Sequence, residues 1–317
     1  MFVRLFYDHV LKKNQELCFC EQNKCCRAQI ATICRQKCGN IFDDYFQKKC
    51  VSNDDCLNAK INLFEMFSGI GNCECSRIRA SKLCVVLHGW GADSSLYEKL
   101  CLGICSNFDL VVAPDMIGFG LSPDLQNVWK TENFVCLLER LIDLFDFDEL
   151  TLVGHSFGGK TILFWIEKNK ANHDVMGRLK KVVLISPSGV KPKFSLAKKI
   201  KIFRYKRLKK KCKKNPKLMK KLSKFGSNDY KSINDGNLKK TFLNVVNEHF
   251  PCGKNHYDLN VLLIFGSRDR ETPPFMGKVL ESCICGANLK IIKGAGHFSF
   301  LDCCETVLRM MNDFFMS

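Results

Sequence analysis

Short apolar runs punctuate the chain from residue 83 onward. Leu83-Cys84-Val85-Val86-Leu87 is the first, and Asp109–Ala113, Leu150–Val153, Val182–Ile185, Val261–Phe265 and Leu289–Ile292 repeat it. Runs of this kind, mostly apolar at successive rather than alternate positions, are what a strand buried on both faces of a parallel sheet requires. Helical periods lie between several of them. In Thr131–Phe145 the residues Phe134, Leu137, Leu138, Leu141, Ile142 and Phe145 share one face, and residues 160–168 are also helix-competent. Strands alternating with helices predict an α/β fold: a mostly parallel twisted sheet with helices on both faces and ligands at the carboxyl ends of the strands. Upstream the pattern weakens. Ile61–Phe67 and Cys73–Arg79 read as two strands of a hairpin with Ser68-Gly69-Ile70-Gly71-Asn72 as its turn. Residues 1–60 show no period and read as a polar, cysteine-rich extension.

The chemistry gathers where the runs end. Leu150–Val153 leads into Gly154-His155-Ser156-Phe157-Gly158-Gly159. A serine on a tight strand-to-helix turn is forced into a strained backbone, and only small residues fit beside it. Gly154 and Gly158 supply that room, so the Ser156 hydroxyl projects above the sheet edge. The unpaired N–H groups of the following helix then face any negative charge formed there. His88-Gly89-Trp90-Gly91 follows the first run and Asp115-Met116-Ile117-Gly118-Phe119-Gly120 the second. Gly266-Ser267-Arg268-Asp269 and Gly294-Ala295-Gly296-His297 follow the last two. A nucleophilic serine needs a base, and the base needs an acid to orient it. Ser156, Asp269 and His297 supply the three types in the chain order this architecture uses. Plainer readings stand beside that one: a turn serine, a surface histidine, and a carboxylate at 269 salt-bridged to Arg268 or Arg270.

These groups, in this order, resemble the α/β-hydrolases, in the broad class of esterases and related hydrolases with a helical cap. The resemblance covers roughly residues 80–190 and 256–315. It implies an oxyanion hole from the backbone N–H groups of Trp90 and Phe157, with His88 and Gly89 holding the loop that presents Trp90 and residues 115–122 acting structurally. It also implies a core of residues 61–190 and 256–317 and a lysine-rich helical cap at 191–255. The implied activity is hydrolysis of an ester or related carbonyl through an acyl-enzyme on Ser156, with His297 as base, Asp269 as its partner, and no metal or cofactor. A carbon–carbon bond hydrolase, perhydrolase or acyltransferase could use the same triad, and a non-catalytic binding protein the same fold. The sequence departs from the family at Asp302, where a glutamate is usual, at Cys303-Cys304-Glu305, which lacks a usual proline, and at Leu259-Asn260-Val261, which lacks the usual Val-Pro.

Composition narrows the picture. The 317 residues are 46% hydrophobic and 26% charged, as in a globular protein. No apolar run approaches the roughly 18 residues needed to span a bilayer. Met1–Val10, interrupted by Arg4, Asp8 and His9, is a poor secretory signal, so a cytoplasmic location is expected. Of 20 cysteines, ten fall between Cys18 and Cys75 without a C-x-x-C pair or matching histidines. That spacing does not favour a zinc site, and the scattered remainder suit small buried hydrophobes in a reducing compartment.

The net charge of +17 is local: residues 191–254 hold 21 lysines and arginines against three acids, leaving 28 bases and 29 acids elsewhere. Within this segment Leu196, Ile200, Phe203, Leu208 and Cys212 make an apolar stripe on a lysine-rich helix that Pro216 ends. Three explanations compete for the charge. It is a solvated lid face, an attractor for an anionic small-molecule substrate or an anionic membrane surface through residues 191–224, or a nucleic-acid contact. Thin aromatic interleaving and the lack of a recognition motif disfavour nucleic acid.

Overall fold

A computed structural model describes residues 1–6, 60–62, 78–192, 203–205, 207–208, 233–252 and 257–317. Ten strands are defined among them: β1 Phe2–Phe6, β2 Lys60–Asn62, β3 Ile78–Arg79, β4 Lys82–Leu87, β5 Leu110–Pro114, β6 Phe145–Asp146, β7 Glu149–His155, β8 Leu179–Ile185, β9 Tyr257–Gly266 and β10 Ile284–Ile292. The helices used below are α1 Glu98–Ile104, α2 Thr131–Ile142, α3 Phe157–Asn169, α4 His173–Arg178, α5 Gly236–Asn247, α6 Phe275–Cys283 and α7 Cys304–Met316. Eight strands form one sheet in the order β10-β9-β8-β7-β4-β5-β1-β2. From β10 to β5 every pairing is parallel, and β1 is antiparallel to both β5 and β2.

The continuous apolar runs feed two cores. Leu83, Val85 and Leu87 of β4 face one core, while Cys84 and Val86 face the other. In β9 Val261, Leu263 and Phe265 alternate in the same way with Leu262 and Ile264. The first core is closed by α2, α3 and α6 through residues such as Leu138, Trp165 and Leu280. The second is closed by α1 and α7 through Ile104, Val307 and Met311. Each such leucine or valine, fully buried, contributes about 1.5–3 kcal/mol, so the alternation fixes which face each helix covers.

Chain order and spatial order diverge at β4. The chain moves from β4 outward to β5, then returns to the other side of β4 with β7 and continues through β8, β9 and β10. The carboxyl ends of β4 and β7 therefore flank the crevice where the winding direction changes, the place such sheets bind ligands.

Three sequence expectations change. The strand Phe2–Phe6, assigned by pattern to an extension over 1–60, belongs to the main sheet; residues 7–59 lie outside the described ones. Its central Arg4 hides the apolar period, and the guanidinium finds a partner 94 residues away, donating to Glu98 at 2.7 Å. The hairpin over 61–67 and 73–79 is not formed by its described parts. Lys60–Asn62 pairs with β1, and Ile78–Arg79 lies parallel to Phe145–Asp146 in a separate two-stranded sheet. Helix α2 accordingly ends at Ile142, and Phe145, on the helical stripe by sequence, is buried from a short strand. Of the apolar stripe at 196–212, only Phe203 and Leu208 are described, and Phe203 is 65% exposed.

Candidate active site

Ser156 sits between β7 and α3 with φ 50°, one of two non-glycine residues at positive φ among the described ones. The strain is held by sterics. A Cβ on Gly154 would lie 2.6 Å from the Gly159 amide nitrogen, one on Gly158 would meet the Leu87 and His88 carbonyl oxygens, and one on Gly159 would come within 2.8 Å of Pro187. The backbone is pinned from β8 as well. The Ser156 N–H donates to Ile185 at 3.0 Å, and its carbonyl accepts from Ser188 N–H at 2.9 Å. Phe157 is the first residue of α3, so its N–H has no acceptor within the helix.

Two other strands deliver the candidate base and acid. His297 follows β10, and its Nε2 is 3.0 Å from Ser156 Oγ while its Nδ1 is 2.9 Å from Asp269 Oδ2. Asp269 follows β9, and its side chain is fully buried while that of His297 is 10% exposed. Asp269 Oδ1 accepts from the N–H groups of Glu271 and Thr272, each at 2.9 Å, and Oδ2 accepts from Thr272 Oγ1 at 2.9 Å. Burial pushes this carboxyl up, but the bonds with His297 and Thr272 outweigh it and hold its pKa below the usual value. The carboxylate that Arg268 and Arg270 flank in sequence is thus spoken for by the histidine and its own loop. Because a carboxylate can only accept, Nδ1 of His297 carries the hydrogen and Nε2 is free to accept from Ser156.

The loop after β4 closes the other side. His88 accepts from Met116 N–H on Nε2 at 2.9 Å, and its Nδ1 lies 2.7 Å from the Gly89 carbonyl, which makes Nδ1 the protonated nitrogen. Burial lowers the pKa of this ring. Asp115 braces the same loop, accepting from Ser94 N–H at 2.8 Å and Leu121 N–H at 2.9 Å. Trp90, next after Gly89, packs edge-on against Phe119 and Phe157 at 4.9 and 5.3 Å, and its ring lies 5.2 Å from Phe242 of α5. Helix α5, from the lysine-rich segment, is fixed to the core by its polar residues. Asp235 caps it, Thr241 accepts from Trp129 N–H at 2.8 Å, and Asn244 donates to Trp129 at 2.9 Å. The Lys160 ammonium donates to the carbonyls of Val245 and Glu248 at its far end, and burial pushes that lysine down to about 8.

The structure therefore brings together Ser156, Asp269 and His297, with Trp90 and Phe157 alongside. Asp302, standing where a glutamate is usual, accepts from Gly296 N–H at 2.7 Å and so shapes the turn before His297. Sequence pattern does not reveal Thr272 or Tyr97. Each acts through a single hydroxyl, Thr272 on Asp269 three residues before it and Tyr97 on His155 far along the chain, and neither belongs to a motif at its own position. Among the described residues no helix is long and apolar enough to cross a membrane, and no cluster of histidine, cysteine or acidic residues could hold a metal.

Known proteins share parts of this arrangement. Residues 83–211 match the alpha/beta hydrolase fold family. A 2-hydroxy-6-oxo-2,4-heptadienoate hydrolase from Pseudomonas putida is 29% identical over 106 residues, 32% of this chain and 38% of that protein. A pimeloyl-[acyl-carrier protein] methyl ester esterase from Neisseria meningitidis is 39% identical over 57 residues, 18% of this chain and 22% of that one. The chain thus aligns with well under half the length of either relative. An esterase structure from Exiguobacterium antarcticum superposes with a TM-score of 0.57 at 18% identity, covering 75% of this chain and 93% of that one. The parallel sheet with its switch point at β4 and β7, together with these matches, shows that the chain has the α/β-hydrolase fold.

Proposed function

We propose that this protein is a serine hydrolase that cleaves an ester or related carbonyl through an acyl-enzyme. The observation that carries the reading is the continuous hydrogen-bonded line from Ser156 Oγ through both ring nitrogens of His297 to Asp269 Oδ2, at 3.0 and 2.9 Å. In the proposed reaction His297 Nε2 takes the proton of Ser156 as Oγ attacks the carbonyl carbon, and the Asp269 carboxylate stabilises the imidazolium. The N–H groups of Trp90 and Phe157 hold the oxyanion, each worth on the order of 10²–10³ in rate. His297 then hands its proton to the departing alcohol. Water, deprotonated by the same nitrogen, attacks the acyl carbon and releases the acid and a restored Ser156. Every step uses groups of the chain itself.

The aromatic cluster of Trp90, Phe119, Phe157 and Phe242, packed about the two residues whose N–H groups would hold the oxyanion, favours an apolar acyl group. A second reading, hydrolysis of a carbon–carbon bond next to a ketone, takes its support from the aligned dienoate hydrolase. The lysine-rich residues 191–224 support attraction of an anionic substrate or membrane surface. For the latter, co-sedimentation with anionic vesicles should appear at low salt and vanish at high salt. The main reading is tested with p-nitrophenyl esters of increasing chain length against wild type, Ser156→Ala and His297→Ala. Loss of turnover in both variants is expected, and hydrolysis that survives Ser156→Ala removes the serine mechanism.

A further inference from the structure

Gly89 and His297 lie on different loops, one after β4 and one after β10, yet a buried hydrogen-bond chain joins them. The Gly89 N–H donates to the Tyr97 phenol oxygen at 3.0 Å. Tyr97 Oη and His155 Nδ1 are 2.7 Å apart, and His155 Nε2 is 3.1 Å from the His297 carbonyl oxygen. The last partner fixes every proton. A carbonyl only accepts, so His155 Nε2 carries hydrogen, Nδ1 of the neutral ring accepts, and the phenol donates to it. All three bonds therefore point the same way, from Gly89 to His297.

The surroundings keep this chain in one state. Burial first, and the nearby His297 ring second, push the His155 pKa down to about 3, so a second imidazolium does not compete beside His297. Tyr97 stacks on Phe300 with ring centres 4.8 Å apart and planes at 22°, and His155 meets the same ring at 5.1 Å, which fixes both side-chain orientations. Gly89 is required at the start. A Cβ there would lie 2.8 Å from His155 Nδ1.

We propose that Tyr97 and His155 are positioning residues that lock the oxyanion loop to the histidine loop across the elbow. His155 precedes Ser156 in the chain, so the lock pivots on the residue next to the nucleophile. Through it the Trp90 N–H, one residue beyond Gly89, is held in register with Ser156 Oγ and His297 Nε2. The inference rests on Ser156 being the nucleophile.

Tyr97→Phe keeps the ring and its stack on Phe300 but removes the hydroxyl. With p-nitrophenyl butyrate as substrate and a phosphonate to count active sites, kcat per titrated site should fall about 10–100-fold. KM should stay within about twofold, because ground-state binding does not use a formed oxyanion. Affinity for phenylboronic acid, which becomes tetrahedral on the serine, should fall by a similar factor. His155→Gln, which can still reach the His297 carbonyl but offers Tyr97 no equivalent acceptor, should give the same pattern and serves if Tyr97→Phe yields no folded protein. A purely structural role would instead lower the number of titratable sites while leaving kcat per site and boronate affinity unchanged. That result, or a change in KM alone, overturns the proposal. Ser156→Ala decides the underlying reading separately, since hydrolysis surviving that change defeats the nucleophile assignment whatever Tyr97 does.

Discussion

The elbow and the acid–histidine flank meet at one hydroxyl but are held by different physics. On the β7 side Ser156 is fixed by volume: φ is 50°, and Gly154, Gly158 and Gly159 have no space for a Cβ. On the β9 and β10 side the two loops pass as closely, a Cβ on Gly266 meeting the Gly296 and Ala295 carbonyl oxygens, but the side chains themselves are placed by hydrogen bonds. Asp269 accepts from two backbone amides, the Thr272 hydroxyl and His297, while Asp302 and Ser267 accept from Gly296 and Gly294. Ser156 should therefore be vulnerable to added atoms, and His297 to changes of charge or of a single donor at constant volume.

Asp269→Asn tests the second half most severely. It keeps the shape but replaces an all-acceptor group, so His297 loses the partner that fixes Nδ1–H. A fall in kcat of roughly 10⁴ is expected, by analogy with serine proteases, with thermal unfolding showing that the fold survives. Acid should act next. His155 is held neutral down to about pH 3 and His88 is lowered by burial, whereas both take up protons in the unfolded chain near the ordinary histidine value. Below about pH 6.5 the unfolded state then binds more protons, so stability falls as pH drops toward 3, by on the order of 4 kcal/mol for His155. Asp269, whose pKa is depressed, adds a loss in the same direction as it protonates. Urea titrations between pH 8 and 4 measure the slope, and His155→Asn should flatten part of it.

Gly158→Ala attacks the other flank. The new Cβ meets backbone carbonyls of β4 and its loop, which cannot rotate away as a side chain could. A destabilisation of about 3 kcal/mol, read from urea midpoints, is expected. Thr272→Val is the mildest and sharpens the contrast, since it preserves shape and removes one hydroxyl from Asp269. It should lower kcat about 5–10-fold with little change in Tm, roughly the 1 kcal/mol of a single hydrogen bond, while Thr272→Ser should restore most of it. If Thr272→Val is silent and Asp269→Asn mild, the hydrogen-bonded account of that flank fails.

The same contrast governs what the sequence discloses. The elbow is legible because its constraint is local: three glycines around a serine between an apolar run and a helical period announce the geometry. The sheet is legible for a similar reason, since burial on both faces leaves no polar position in 83–87 of β4, 182–185 of β8 or 261–265 of β9. Tyr97 is hidden because its partner His155 lies 58 residues away, and Thr272, though only three residues from Asp269, because a lone hydroxyl carries no pattern. Strand β1 is hidden by Arg4, whose buried charge is paired with Glu98 far along the chain. Helix α5 shows the intermediate case: Asp235 and Gly236 mark its start, but its seat over Trp129 and Trp90 depends on Thr241, Asn244 and Phe242 meeting a loop more than a hundred residues earlier.

The central claim is that the Ser156 hydroxyl, activated by His297, is the reacting atom. Intact-mass and peptide analysis after treatment with a fluorophosphonate tests it most directly. The account predicts one adduct per chain, located on Ser156, absent in Ser156→Ala and formed far more slowly in His297→Ala. Labelling at another residue, or undiminished labelling of Ser156→Ala, would contradict it.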